Sequence, residues 1–278
     1  MSGQGQGRAV VSLRSVNKTF DSGTVALDGF DFDVNPGEFV SLLGPSGCGK
    51  STALRIIAGL SSASSGTVEW CADAAPAGGI HSIADSNSSS NSNPSPNKIS
   101  FVFQEPTLMP WANVAANVRL PLKLAHIDQA HITGAVNRAL ERVGLAEFAD
   151  SYPRELSGGM RMRASIARAL VTEPQLLLMD EPFAALDEIT RFKLNNDMLS
   201  LWQELRRTVI FVTHSVFESV FLSQRIVVMT PRPGRVFADI AIPAPYPRDE
   251  HFRTSAEYAG YCRTVSAALT QATAGGEL

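Results

Sequence analysis

Residues 44–52 read Gly-Pro-Ser-Gly-Cys-Gly-Lys-Ser-Thr, follow the apolar run 39–43 and precede a helical pattern at 53–58. This is the strand–loop–helix setting of the phosphate loop G-x-x-x-x-G-K-[ST]. Glycines let the backbone curl until successive N–H groups face one anion, and the dipole of the next helix adds positive charge. The stretch predicts a bound nucleoside triphosphate, which we expect to be ATP. The predicted contacts come from the whole loop: Gly44, Pro45, Ser46, Gly47, Cys48, Gly49, Lys50, Ser51 and Thr52.

Three side chains of this loop have more specific expectations. Lys50 should reach the outer phosphates, and Ser51 should offer its hydroxyl to Mg²⁺. Cys48 lies near Lys50 and a helix N-terminus, where the pKa of a thiol tends to fall. A reactive thiol that ATP protects is one interpretation of Cys48, and a small filler of the loop is the other.

Two later strands end in polar residues that suit phosphate chemistry. The apolar run 175–179 ends in Asp180 and Glu181. We expect Asp180 to hold Mg²⁺, directly or through water, and Glu181 to orient and polarise the attacking water; the alternative is a solvated acidic turn. The run 209–213 ends in His214, which could donate a hydrogen bond to a γ-phosphate or serve only the structure.

Two further segments could contact a nucleotide. Ser157, Gly158 and Gly159 open a helix that runs to about residue 170, and a serine cap with glycines makes a second anion-binding helix start. Capped helices with glycines are common, so this signal is weak by itself. Phe20 ends the first predicted strand, Val10–Phe20, and could stack on a base or be an ordinary core residue.

Composition limits the class of protein. The 278 residues carry a net charge of −3 without a basic excess, which argues against a nucleic-acid partner. The three cysteines, Cys48, Cys71 and Cys262, form no C-x-x-C pair, which fits a reducing compartment and disfavours a zinc or disulfide scaffold. The N-terminus lacks the apolar core of a signal peptide, and no apolar run approaches the roughly 20 residues that span a bilayer. We therefore expect a cytoplasmic chain.

The pattern of elements predicts an α/β fold. Its core is a phosphate-loop NTPase, a mostly parallel sheet with flanking helices, plus an N-terminal antiparallel β subdomain. The helical pattern at 113–150 predicts a helical subdomain, about 105–165, inserted between two strands. The Ser-, Asn- and Pro-rich stretch 72–97 predicts a disordered insertion. The predicted ATP-binding domain spans 8–235, and a strand and one helix at 252–271 form a short extension, 236–278.

Taken together, residues 10–235 resemble the ATP-binding subunit of ABC transporters. Besides the phosphate loop and the acidic strand end, the family resemblance assigns Gln104 to the glutamine loop, which senses Mg²⁺ and phosphate. It assigns 156–160 to the signature, Asp187 to the D-loop and His214 to the switch histidine, and it places Phe20 where an aromatic stacks on adenine. Met160 stands where the family usually has glutamine. Activity should persist, because the ligand contacts come mainly from the serine and glycine positions.

The resemblance also implies an assembly. ATP would lie between the phosphate loop of one copy and the Ser157 helix start of a second copy, so hydrolysis would let the dimer open. The segments 103–111 and 231–235 look like those of nitrate, sulfonate and taurine importers. This implies a permease docked near Leu108–Trp111, unless these side chains only pack the subdomain. It also implies an extracytoplasmic solute-binding protein and a place at the cytoplasmic face of the membrane. A soluble ABC ATPase and an exporter subunit remain alternatives.

Overall fold

The computed structural model describes residues 9–70 and 99–274. The predicted insertion 72–97 lies outside these residues. Two sheets organise the described chain, one of three strands and one of six. The first sheet is the predicted antiparallel subdomain, and the second is the core of the phosphate-loop fold.

The three-stranded sheet contains β1 (Val11–Thr19), β2 (Val25–Val34) and β4 (Ser65–Trp70), in the order β2-β1-β4 with antiparallel pairing. Phe30, Phe32 and Val34 are buried, whereas Asp31 and Asp33 between them are more exposed. This alternation is the predicted period of two, and it turns one face of the sheet towards the core.

The six-stranded sheet runs in the order β5-β6-β7-β3-β8-β9. Neighbouring strands are parallel from β5 to β8, and β9 is antiparallel to β8. The strands are β3 (Phe39–Leu43), β5 (Ile99–Val102), β6 (Leu176–Asp180), β7 (Thr208–Thr213), β8 (Arg225–Met229) and β9 (Val236–Ala241).

Burial follows position in this sheet. Every residue of β3 and β7 is buried, because central parallel strands have both faces covered. In β5, by contrast, only Val102 is buried. The reason is that β5 ends the order of strands and has a neighbour on one side only.

Eight α-helices and two 3₁₀ turns cover the sheets in the described chain. The helices are α1 (Lys50–Ile57), α2 (Val114–Leu124), α3 (Gln129–Arg142), α4 (Gly158–Leu170), α5 (Glu188–Leu205), α6 (Val216–Leu222), α7 (Glu250–Thr254) and α8 (Ala256–Ala274), and the 3₁₀ turns are Ala146–Phe148 and Pro153–Glu155. In the described residues, none of these helices combines the length and hydropathy of a membrane span.

The predicted helical insertion is present between β5 and β6. Asp128 caps α3 by accepting a hydrogen bond from the N–H of Ala130 at 3.0 Å. Buried positions on α3 are Ile132, Val136, Ala139 and Leu140. This apolar stripe packs α3 against its neighbours, as the helical period predicted.

The C-terminal extension differs from the expectation of one helix. The helical conformation is interrupted at Ser255, where φ is −77° and ψ is 152°, so α7 and α8 are separate helices. The Ser255 hydroxyl accepts a hydrogen bond from the N–H of Tyr258 at 3.0 Å. A serine side chain readily caps a helix N-terminus by accepting from its backbone N–H groups. A new helix therefore begins after Ser255, and the continuous helical pattern is interrupted.

Candidate nucleotide site

A cavity of about 390 Å³ lies at the edge of the core sheet where β3 and β6 end. The carboxyl ends of parallel strands meet at one edge, which is where ligands bind in such folds. The cavity is lined by Phe20, Thr24, Ala26, Ser46, Gly47, Gly49, Lys50, Ser51, Thr52, Gln104, Glu181 and Arg232. It therefore brings together predicted residues from four separate segments.

The phosphate loop curls because its glycines adopt left-handed backbone angles. Gly47 has φ 76° and Gly49 has φ 105°, which a residue with a side chain adopts only with strain. A Cβ at Gly49 would also lie 2.7 Å from the carbonyl oxygen of Ala26. The loop therefore requires glycine at 49 for both backbone angle and space.

Lys50 is held inside this loop. Its side chain is 3% exposed, and its ammonium lies 3.5 Å from Oε1 of Glu181. Nζ also donates to the carbonyl oxygens of Gly44 at 2.8 Å and Pro45 at 2.9 Å. The loop thus presents a buried positive charge beside backbone N–H groups, a fit for a polyphosphate.

Ser51 and Asp180, two of the residues that we expect to hold Mg²⁺, are in contact. The Ser51 hydroxyl donates a 2.7 Å hydrogen bond to Oδ1 of Asp180. Burial raises the pKa of Asp180, against the opposing effect of the Ser51 hydrogen bond. Gln104 lines the same cavity. A hydroxyl, a carboxylate and an amide are hard oxygen donors of the kind that Mg²⁺ prefers, so these residues fit the ion.

Glu181 has an unusual backbone. It follows the end of β6 with φ 46°, a left-handed conformation that costs about 1 kcal/mol or more in a residue other than glycine. Its N–H donates to the carbonyl of Val212 at 3.0 Å, which ties the turn to β7. Its Oε2 lies 3.3 Å from Nδ1 of His214. The strained turn therefore places the predicted water-orienting carboxylate beside the predicted switch histidine.

A buried carboxylate that sequence reasoning missed lies behind His214. Glu218, on α6, is 7% exposed, and burial raises its pKa. Its Oε2 accepts a 2.5 Å hydrogen bond from the hydroxyl of Thr213, which also accepts from the N–H of Ser215 at 3.0 Å. Both neighbours of His214 are therefore tied to Glu218.

The same carboxylate faces the segment before α5. Arg191 Nε lies 3.7 Å from Oε1 of Glu218. The Arg191 guanidinium also donates to the carbonyl oxygens of Phe183 at 3.2 Å and Leu186 at 2.8 Å. Arg191 and Glu218 thus connect the predicted D-loop to the backbone around His214. The pattern of the sequence contains no signal for this, because the two residues lie on different helices.

Phe20 is on the cavity wall. Its side chain is 44% exposed, so the interpretation of Phe20 as an ordinary core residue was wrong. Lys18 Nζ lies 5.4 Å from the centre of its ring. The exposed aromatic face suits stacking on a base.

The expectation of a reactive Cys48 fails. The residue is 1% exposed, and burial raises the pKa of its thiol, although the nearby Lys50 acts in the opposite direction. Desolvation of a thiolate outweighs the neighbouring positive charge at this depth. Cys48 is therefore the small filler of the loop that formed the second interpretation.

The second predicted anion site lies elsewhere in the chain. Ser157 caps α4 by accepting from the N–H of Met160 at 3.3 Å. Asp187 caps α5 by accepting from the N–H of Thr190 at 2.9 Å, and such backbone donation lowers its pKa. A Cβ at Gly159 would lie 2.7 Å from Thr190 Cγ2, so the two helix starts pack together. Ser157, Gly158, Gly159 and Asp187 are not among the residues lining the cavity.

Comparisons with known proteins agree with this geometry. The profile of the family described as ABC transporter matches residues 27–184. The chain belongs to the ABC transporter ATP-binding family. An uncharacterised ABC transporter ATP-binding protein of Methanocaldococcus jannaschii is 43% identical over 240 residues, 86% of this chain and 82% of that protein. The aliphatic sulfonates import ATP-binding protein SsuB of Bacillus cereus is 41% identical over 244 residues, 87% of this chain and 89% of that protein.

A solved structure shares the fold. The ATP-binding cassette MJ0796, described as a dimer in a post-hydrolysis state with ADP and Pi, superposes with a TM-score of 0.68. It is 31% identical and covers 84% of this chain and 100% of its own. This ABC chain is thus an ATP hydrolase of the phosphate-loop class, as the sequence predicted.

Proposed function

We propose that this ABC chain powers a membrane importer of a small anion or organic solute of the nitrate, sulfonate or taurine type. The observation that supports it best is the cavity lined by Lys50, Ser51 and Glu181. Asp180 and His214 do not line it, but they contact Ser51 and Glu181 respectively. The similarity to an aliphatic sulfonates import protein favours the sulfonate class.

In this proposal, each side chain has a defined task towards ATP and Mg²⁺. Ser51, Asp180 and Gln104 would hold the ion, which would supply positive charge against the negative charge of the phosphates. Lys50 and the loop N–H groups stabilise the negative charge that develops on phosphate. Glu181 orients the attacking water. His214, which lies 3.3 Å from the Glu181 carboxylate, contacts the γ-phosphate.

A second copy of the chain completes the site. The Ser157 helix start and Asp187 do not line the cavity of their own chain, so we place them against the nucleotide of a partner copy. Two helix N-termini would then hold one polyanion from opposite sides. Closure would depend on the γ-phosphate, and its loss would let the dimer open.

Glu181→Gln tests this proposal. The variant keeps the size and hydrogen-bonding reach of the side chain but loses the charge that polarises water. We expect ATP binding to persist, hydrolysis to fall by about 100-fold or more, and a stable dimer to accumulate. Gel filtration with ATP and Mg²⁺ should show that dimer, and Glu147→Gln, at an exposed surface position, should behave as wild type. A Glu181→Gln protein that stays monomeric with saturating ATP would contradict the proposed ATP-dependent dimer.

The membrane component would dock on the loop 105–112, which follows Gln104. Asn117 holds this loop by accepting from the N–H of Met109 at 2.7 Å and donating to the carbonyl of Ala112 at 3.0 Å. Arg168 donates to the carbonyl of Thr107 at 2.8 Å. Trp111 nevertheless remains 77% exposed. A rigid loop with an exposed aromatic suits an apolar helix of a permease.

Trp111→Ser tests the docking surface. Co-purification with the permease and transport should be lost, because the variant removes the exposed apolar contact. Leu60→Ser is the matched control, since Leu60 is also exposed, at 62%, but lies outside this loop. Equal permease recovery with Trp111→Ser and Leu60→Ser would contradict the assignment. Recovery of a permease would also support the cytoplasmic face of the membrane and, indirectly, a solute-binding protein as partner.

A further inference from the structure

The turn 231–235, which reads Pro-Arg-Pro-Gly-Arg, forms part of the wall of the nucleotide cavity. It follows β8 and packs against both the phosphate loop and β2. The N–H of Gly234 donates to the carbonyl of Ala26 at 2.9 Å, and the N–H of Asp28 donates to the carbonyl of Gly234 at 3.1 Å. A Cβ at Gly234 would lie 2.1 Å from the carbonyl oxygen of Cys48. The turn and the loop are therefore packed backbone to backbone.

Arg232 extends from this turn over the tip of the phosphate loop. Its Nε and Nη2 both donate to the carbonyl oxygen of Gly47, each at 3.2 Å. The residue is exposed and lines the cavity. Arginine has five N–H donors, so the bonds to Gly47 leave donors for a ligand.

The charges of the cavity show why this residue matters. Its lining contains three charged side chains, Lys50, Glu181 and Arg232. Lys50 lies 3.5 Å from Glu181, so its charge is partly balanced within the protein. Arg232 forms no ion pair with any carboxylate of residues 9–70 and 99–274. Besides Lys50, the cavity lining therefore offers a bound polyphosphate the charge of Arg232, which no carboxylate of the described residues balances.

We infer that Arg232 is a further nucleotide-binding residue of this chain, whose guanidinium contacts the phosphates of ATP or ADP from the β8–β9 turn. Planar guanidinium groups suit phosphate oxygens. Gly47 positions the group, since its carbonyl holds two of the five donors. The phosphate-loop motif does not include this contact, because about 180 residues of chain separate the two segments. The inference rests on the proposed nucleotide site.

Equilibrium binding of ATP, ADP and adenosine to the purified chain tests the inference. Arg232→Ala should weaken ATP and ADP binding about tenfold, the effect of one charge-assisted hydrogen bond to phosphate. Adenosine binding should not change, because adenosine has no phosphate. The salt dependence of ADP binding should also become shallower. Arg232→Lys should recover part of the affinity through its charge.

Arg235→Ala is the matched control. Arg235 belongs to the same turn and has the same charge, but it pairs with Asp28 and does not line the nucleotide cavity. ATP and ADP should bind to this variant as they do to wild type. Thermal unfolding of each variant checks that the turn remains folded.

Two results would overturn the role of Arg232. One is equal ATP and ADP affinity in Arg232→Ala and Arg235→Ala, and the other is an equal loss of adenosine and ADP binding in Arg232→Ala. Wild-type protein that binds ATP would in either case leave the proposed function standing. Wild-type protein without ATP binding would overturn the site itself and the role of Arg232 with it.

Discussion

Arg248 connects the C-terminal extension to the core, and Arg248→Met should lower the free energy of unfolding of the chain. Arg248 is 4% exposed. Its guanidinium donates to five backbone carbonyl oxygens, at distances of 2.8 to 3.2 Å, those of Val220, Phe221, Ser223, Ile242 and Ala244. Two of these belong to α6, which begins two residues after His214. The guanidinium also stacks on Tyr246, 4.2 Å from the ring centre.

The size of the effect follows from these contacts. Methionine has nearly the same length but no donors, so the substitution leaves five carbonyls of a buried site without the guanidinium. Each such bond to a charged group contributes about 1.5–3 kcal/mol, but neighbouring bonds are not additive. A buried acceptor left without its donor costs about 1–3 kcal/mol, so the loss for several overlapping carbonyls should be about 3 kcal/mol or more in total. That is a large fraction of the roughly 5–15 kcal/mol stability of a typical domain.

Urea denaturation followed by tryptophan fluorescence measures this loss. Trp202 is 1% exposed, and its ring centre lies 5.0 Å from that of Tyr246, so it reports on the region around Arg248. Arg207→Met is the control, because Arg207 makes a longer ion pair of 3.8 Å with the exposed Glu173. Pairs of that kind contribute about 0–1 kcal/mol.

A decrease in the free energy of unfolding of less than about 1 kcal/mol in Arg248→Met, or no larger than that in Arg207→Met, would contradict the predicted role of Arg248. Either result would mean that water or repacking satisfies the five carbonyls. Arg248→Lys separates charge from geometry. A lysine keeps the charge but cannot donate at once to the carbonyls of residues 220–223 and to those of Ile242 and Ala244. Its stability should fall between those of Arg248→Met and wild type.

Two more predictions concern buried ionisable groups. Iodoacetamide should modify Cys48 of the folded chain at least about 100-fold more slowly than in the urea-unfolded chain, with or without ATP, because the thiol is buried and its pKa is raised; rapid labelling that ATP prevents would restore the reactive interpretation. Burial raises the pKa of Glu218 above 4.5, so the folded chain holds a proton that the unfolded chain has lost, and stability from this group falls as pH rises through the folded pKa. Glu218→Gln lacks this penalty, so in urea titrations its stability relative to wild type should increase as pH rises above the usual glutamate pKa, and a difference that stays constant with pH would contradict the assignment.

The sequence predicted the segments whose structure depends on near neighbours. The phosphate loop, the Ser157 cap and the acidic end of β6 all lie where their motifs and periods indicated. Such features depend on hydrogen bonds within about four residues, so the local pattern contains the necessary information. The single C-terminal helix was wrong for a local reason as well, since the Ser255 cap was not recognised.

Contacts between distant segments could not be predicted in this way. Arg232 reaches Gly47, Glu218 faces Arg191, and Arg248 ties the extension to α6, but no periodicity relates these positions. Cys48 shows the same limit for electrostatics: its neighbours in the chain predict a lowered thiol pKa, but burial raises it. Desolvation depends on all the atoms that pack around a group, and these atoms come together only in the folded chain.

The order of motifs along the chain already determined the family and its nucleotide, and it predicted the chemistry of Lys50, Ser51 and Glu181, because those roles belong to residue types at set spacings. The tertiary structure alone decided which charged side chains line the cavity, which carboxylate contacts the neighbours of His214, and which helix starts do not line the cavity. The physical reason is that a nucleotide is held by groups that the fold brings within a few ångströms from opposite ends of the chain.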